Sequence, residues 1–244
     1  MVEKPLALTV EDCLRVGEAV ERTGGMLMTA FKMRYYDMVL KARQLIPEPI
    51  LVTMQMMDNR WADDMWANDP VKGDGNVISP GCHSCDILRF VAGAKPLEVY
   101  AAGGNYYQGT GVVDNLCAVF RFDNSAAGSW VQGDAACPSF TSKFYMQVFA
   151  KDKSITLDRR LTHLIYQETG EPPREFNGSE SGFIEENRAF VQALRAGEPA
   201  PIDHRDGLMA TLMPLQAVAS LRSGKPEPVL ARFNESVRRG CQTR

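Results

Sequence analysis

The stretch between residues 97 and 167 limits the possible folds more than any other part of the chain. Six strand-like runs follow one another there, at 97–102, 115–123, 127–132, 143–150, 154–157 and 162–167. In the second run Leu116, Ala118, Phe120 and Phe122 occupy alternate positions, the period of a strand buried on one face. Asn124-Ser125 and Lys151-Asp152 supply short polar links of the kind that join antiparallel hairpins. Helical spacing flanks this block. The first helix starts at the N-cap Thr9, with Asp12 as its capping-box partner, and stops at Gly24-Gly25. Others are expected at 37–46, before Pro47, and at 82–92, closing at Gly93. Helices at 182–196 and 203–223 follow the strand block. Two further strands are expected at 26–32 and 50–57, and residues 58–75 read as a long polar and aromatic loop. Helix and strand do not alternate as a doubly wound parallel sheet requires. The reading is α+β: a broad, mainly antiparallel β-sheet with helices packed on one face, the open face used for dimerisation. Residues 1–230 form this domain. The remainder, 231–244, with Arg232, Arg238, Arg239 and Arg244, reads as a solvated tail.

Charge narrows the partners. Lys+Arg 27 against Asp+Glu 30 leaves a net charge of −3, which argues against a general positive field for nucleic acid or an anionic membrane. No apolar run approaches the ~20 residues of a spanning helix. The opening Met1-Val2-Glu3-Lys4-Pro5 lacks the apolar stretch of a secretion signal. Cys13, Cys82, Cys85, Cys117, Cys137 and Cys241 lie mostly in apolar segments and read as reduced, buried thiols of a cytoplasmic protein.

Two places carry residues suited to chemistry. Lys4, between Glu3 and Pro5, shuttles a proton if partial burial lowers its pKa, and otherwise is an exposed lysine near a terminus. The run Gly73-Asp74-Gly75-Asn76-Val77-Ile78-Ser79-Pro80-Gly81-Cys82-His83-Ser84-Cys85-Asp86 places His83 at the start of a helix, with Asp86 one turn on. Such a histidine either deprotonates a hydroxyl or bonds its own loop. Cys82-x-x-Cys85 lacks a second ligand pair, so no metal is expected. His163 and His204 read as structural. The sequence Gly109-Thr110-Gly111-Val112-Val113-Asp114 imitates a dinucleotide fingerprint but has neither the third glycine nor a strand–turn–helix context.

Taken together, Glu3-Lys4-Pro5, Phe31-Lys32-Met33-Arg34-Tyr35, the Trp66 to Pro70 loop, the segment 73–86 and the two late helices resemble the glucose–fructose oxidoreductase / inositol dehydrogenase / rhizopine-catabolism family, in its C-terminal domain. The resemblance implies NAD(P)-dependent oxidation of a sugar or polyol hydroxyl. Lys4 and His83 are then catalytic, Glu3 and Pro5 lie against the NAD or NADP, and Arg34, Tyr35, Trp66 and Asp86 line the sugar pocket. Three departures stand out. The family's nucleotide-binding domain should precede Glu3, an aspartate stands where Ser79 is, and the family's tryptophan is often followed by arginine where this chain has Trp66-Ala67. They leave three readings open: an oxidoreductase truncated before the lysine motif, its nucleotide half supplied by another chain; a cofactor-independent lyase, isomerase or hydratase on a sugar-like substrate; and a non-catalytic dimerisation or partner-binding domain.

Overall fold

The computed structural model describes residues 1–137 and 143–242, and side chains as far as 238. Arg244, and the side chains of Arg239 and Cys241, lie outside that description. The chain begins with α1 (Val10–Thr23), a 3-10 turn at Lys32–Tyr35, α2 (Asp37–Leu45) and β1 (Leu51–Met57). A loop with a 3-10 turn at Trp66–Asn68 leads to α3 (Gly75–Ile78) and α4 (Gly81–Ala92). Next come β2 (Pro96–Gly104), β3 (Asn115–Phe122), β4 (Ala127–Gly133), β5 (Phe144–Ala150), β6 (Lys153–Asp158), β7 (His163–Glu168) and β8 (Arg174–Asn177). The chain closes with α5 (Gly182–Ala196), α6 (His204–Ser223), β9 (Glu227–Pro228) and α7 (Leu230–Gln242).

The strands form one nine-stranded sheet in the order β8-β7-β6-β5-β1-β4-β3-β2-β9. All neighbours are antiparallel except β1 and β4, which run parallel with Met54 opposite Trp130. The α+β reading, with a mainly antiparallel sheet, holds.

Alternation decides which face is covered. Val52, Met54 and Met56 of β1 point inward with Trp130 of β4, Phe120 and Phe122 of β3, and Met146 and Val148 of β5. They meet Ile87, Leu88 and Val91 of α4 and Met209, Leu212 and Met213 of α6 in one core. Each such side chain contributes roughly 1.5–3 kcal/mol by leaving water. Gly128 on β4 sets how closely α4 approaches, because a Cβ there would stand 2.7 Å from Phe122 and 3.2 Å from Leu88.

Three expectations need correction. Residues 26–32 form no sheet strand: Thr29 makes a single bridge to Val2 and donates to the Ile202 carbonyl at 2.9 Å. The apolar residues there build a second small core, Met28 and Phe31 with Cys82, Ile202 and Ala210. The 231–244 segment is not simply a solvated tail. It is helical to Gln242, and the spacing of Phe233 and Val237 lets both pack beside Leu6, Cys13 and Leu208. Of the thiols, Cys13, Cys82 and Cys85 are buried, whereas Cys117 lies on the outward face of β3 and, like Cys137, is exposed. Among the described residues no helix is long and apolar enough to cross a membrane.

Candidate active site

The N-terminal segment is held by Val2, which donates to the Met28 carbonyl and accepts from Ala30, each at 2.9 Å. This strap lays Lys4 over the start of α4. The Lys4-Pro5 peptide is cis, and Lys4 Nζ lies 3.4 Å from the Ser79 carbonyl oxygen. Ser79 therefore meets the lysine with its backbone, at the position where the family resemblance places a carboxylate.

Gln132, fully buried on β4, anchors the other side of this junction. Its Nε2 donates to Asn76 Oδ1 at 2.5 Å, and its Oε1 accepts from Ser84 Oγ at 2.8 Å and from Trp130 Nε1 at 3.2 Å. One strand residue thus fixes α3, α4 and the indole beneath them. His83 sits between these anchors, partly accessible at its edge, with Phe31 edge-on at 5.7 Å between ring centroids. Its Nδ1 is buried and makes no hydrogen bond among the described residues. Burial, reinforced by the charges of Lys4, Lys32 and Lys143, pushes the imidazole well below its usual range. These effects favour the neutral form of the ring.

The surrounding cations come from separate parts of the chain. The N-terminus of α5 presses on the Lys32 backbone, since a Cβ on Gly182 would stand 2.1 Å from the Lys32 carbonyl oxygen. Lys32 Nζ lies 3.9 Å from the centroid of the Phe183 ring, and burial lowers its pKa. Lys143, just before β5, pairs with Asp58 at 2.5 Å. Glu186 of α5 is 1% exposed with an unpartnered Oε2. Burial, and secondarily the charge of Glu3, raise its pKa to about 7 against the opposing effect of Lys32.

The other expected site residues divide. Glu3 is exposed and Pro5 half-buried on the Lys4 strap. Tyr35 is half-buried against the Phe31 core. Trp66, 63% exposed, stands on the long loop. Asp86 is fully buried and presents no surface to a sugar; it accepts from Arg34 Nε at 2.8 Å and from the terminal nitrogen at 2.5 Å. The expected carboxylate of the sugar pocket is instead one half of a core ion pair. Lys143, Gln132 and Glu186 carried no signal in the sequence, because only the strand order and the packing of α5 bring them near α4.

This geometry accompanies a match of residues 40–155 to the GFO/IDH/MocA C-terminal domain. Over that stretch, just under half of its length, the chain is a GFO/IDH/MocA C-terminal domain. Among GFO/IDH/MocA proteins, myo-inositol 2-dehydrogenase of Thermotoga maritima is 25% identical, over 93% of this chain and 72% of that protein. D-xylose 1-dehydrogenase (NADP(+)) 2 of Haloferax volcanii is 23% identical, over 85% of this chain and 66% of that protein. The fold recurs in aldose-aldose oxidoreductase from Caulobacter crescentus, solved with glycerol, at a TM-score of 0.82 and 18% identity, covering 93% of this chain and 70% of that one. It recurs again in levoglucosan dehydrogenase complexed with NADH, at a TM-score of 0.83 and 19% identity, covering 93% and 72%. These GFO/IDH/MocA relatives are sugar and polyol oxidoreductases.

Proposed function

We propose that this chain carries the substrate-binding and proton-handling part of an NAD(P)-dependent oxidoreductase acting on a sugar or polyol hydroxyl. One observation supports this above the rest: Lys4 and His83, whose Nδ1 makes no hydrogen bond among the described residues, are assembled at one helix start within a field of further cations. In this reading His83 takes the hydroxyl proton, the Lys4 ammonium donates a hydrogen bond to the oxygen, and the charges of Lys32 and Lys143 stabilise the alkoxide as it forms. A bound nicotinamide would supply the hydride acceptor for the carbon that carries this hydroxyl. The residues fit that reactive end of the cofactor. The 109–114 segment does not fit its pyrophosphate, because the Asp114 carboxylate folds back to accept the N–H groups of Tyr106, Tyr107 and Gln108. The nucleotide half of the cofactor is therefore assigned to another segment or a separate chain.

The test supplies the protein with NAD⁺ or NADP⁺ and a panel of myo-inositol, D-xylose and levoglucosan, and follows nicotinamide absorbance. Turnover is expected to fall about a hundredfold in Lys4→Ala and in His83→Ala, the usual scale for a lost acid–base group. Turnover unchanged in both variants would remove the roles given to Lys4 and His83. Absence of both turnover and nucleotide binding would leave the cofactor-independent reading.

The uncovered sheet face is assigned to self-association. Tyr100 and Val119 stand opposite each other on β2 and β3, 49% and 55% exposed, with Ser129 and Thr53 continuing the row. Sedimentation is expected to give a particle of twice the 27.1 kDa chain mass. A monomer at micromolar concentration would leave this face without a role.

A further inference from the structure

A second charged concavity lies near the opposite end of α4. Gly93, which ends the helix, is ten residues beyond His83, about 15 Å along the axis. The cleft there has a volume of about 350 Å³. Arg34, Arg43, Arg89 and Lys95 line it, against two acids, Asp123 and Asp206. With Asp86 behind Arg34, four positive charges face three negative ones. Those acids are already engaged. Asp206 accepts from Arg34 at 3.3 Å and from Arg89, Asp86 is held by Arg34, and Asp123 accepts the backbone N–H of Lys95 at 2.9 Å.

Neither Arg43 nor Lys95 forms an ion pair among the described residues. The Arg43 guanidinium stands over the Phe90 ring at 4.3 Å, and Arg34 lies over the same ring at 5.3 Å. Two cations share one aromatic face, and burial together with the Arg34 charge pushes Arg43 below its usual pKa. The Nε of Arg89 is buried and makes no hydrogen bond among the described residues. Unneutralised charge thus converges in a cleft formed by α2, α4, α6, the turn that carries Arg34 and the links at Gly93, Lys95 and Asp123.

We propose that this cleft binds a small multivalent oxyanion, such as the phosphate group of a phosphorylated metabolite, on Arg43, Arg89 and Lys95. An anion there relieves the repulsion between Arg34 and Arg43. Guanidinium groups match oxyanion oxygens with paired N–H donors. The site is separate from His83 and does not depend on the oxidoreductase reading.

Calorimetric titration of the full chain with inorganic phosphate, pyrophosphate and citrate tests it, with chloride as the monovalent control. Saturable binding weakened by added salt is expected, tighter for pyrophosphate than for chloride. Arg43→Ala and Lys95→Ala should each weaken it on the order of tenfold, as loss of a charge-assisted hydrogen bond does. Lys143→Ala should leave it unchanged. Pyrophosphate preferred over citrate points to a phosphate group, and the reverse to a carboxylate ligand; both support an oxyanion site. No saturable binding below about 10 mM overturns the proposal. So does binding lost in Lys143→Ala but kept in Arg43→Ala, which places the anion at the candidate active site. A third contrary result is a less stable Arg43→Ala protein with unaltered anion binding. Arg43 would then only complement the negative C-terminal end of α4.

Discussion

Asp86→Ala is expected to lower stability by about 3–5 kcal/mol, the usual cost of leaving one charge of a buried pair without its partner. Asp86 is fully buried and Arg34 is 9% exposed. Burial works against the guanidinium charge; the carboxylates of Asp86 and Asp206 outweigh it and hold the pKa above its usual value. Asp206 cannot take over, because Arg89 already competes for the same oxygen. Urea denaturation measures the loss, and the double variant Arg34→Met, Asp86→Leu is the control. Apolar replacement of both partners removes the desolvation penalty as well as the attraction, so the double variant should lose far less than Asp86→Ala alone. A single variant within about 1 kcal/mol of the parent would mean that Arg34 escapes to solvent, contrary to its burial.

Glu186→Gln should have the opposite sign, and a strong dependence on pH. The folded-state pKa of Glu186 is raised to about 7, from a reference of 4.5, mainly by burial. The folded protein therefore holds a proton that the unfolded chain releases between these values. Its stability is greatest below the unfolded pKa and declines as pH rises through the folded one. At 1.36 kcal/mol per unit the decline is on the order of 3 kcal/mol. His83 acts in the other direction. Its folded pKa is depressed, so its contribution is lost as pH falls below the ordinary imidazole range. Comparing the parent with Glu186→Gln at pH 5 and pH 8 cancels the His83 contribution. The glutamine variant should gain on the parent at pH 8 and nearly match it at the acid end. Parallel pH profiles for the two proteins would show that Glu186 ionises without penalty in the fold.

How far the sequence foretold these features depends on how local each one is. Alternating Leu116, Ala118, Phe120 and Phe122 described β3 correctly because strand periodicity is a property of neighbours. His83 was visible because its glycine-rich approach and its helix are contiguous. The strand expected at 26–32 failed because a fully buried apolar run has no period to reveal its partner; here that partner is α6 and the Cys82 turn rather than a sheet. The pairing of Arg34 with Asp86 spans 52 residues, and Lys143 joins the His83 field only because β1 brings β5 beside β4. Asp86 looked like a ligand residue because it lies one helical turn from His83. The direction its side chain takes was set by Arg34, which no spacing rule could place.

The position of β1 bears on how the chain acquires and loses its fold. Strands β2–β3–β4 and β5–β6–β7–β8 each follow one another in sequence and in space, so each group can form by short-range closure. Strand β1 alone joins them. Residues 51–57 must find 127–133 on one side and 144–149 on the other, so this docking carries a far larger entropy of loop closure than the hairpins it joins and forms more slowly than they do. Until it docks, β4 and β5 expose facing edges whose amide groups are open to strands of other molecules. Conditions that release β1 first therefore convert this protein into two sticky half-sheets. Its practical lifetime in solution is then set by the rate of that single detachment as much as by its equilibrium stability.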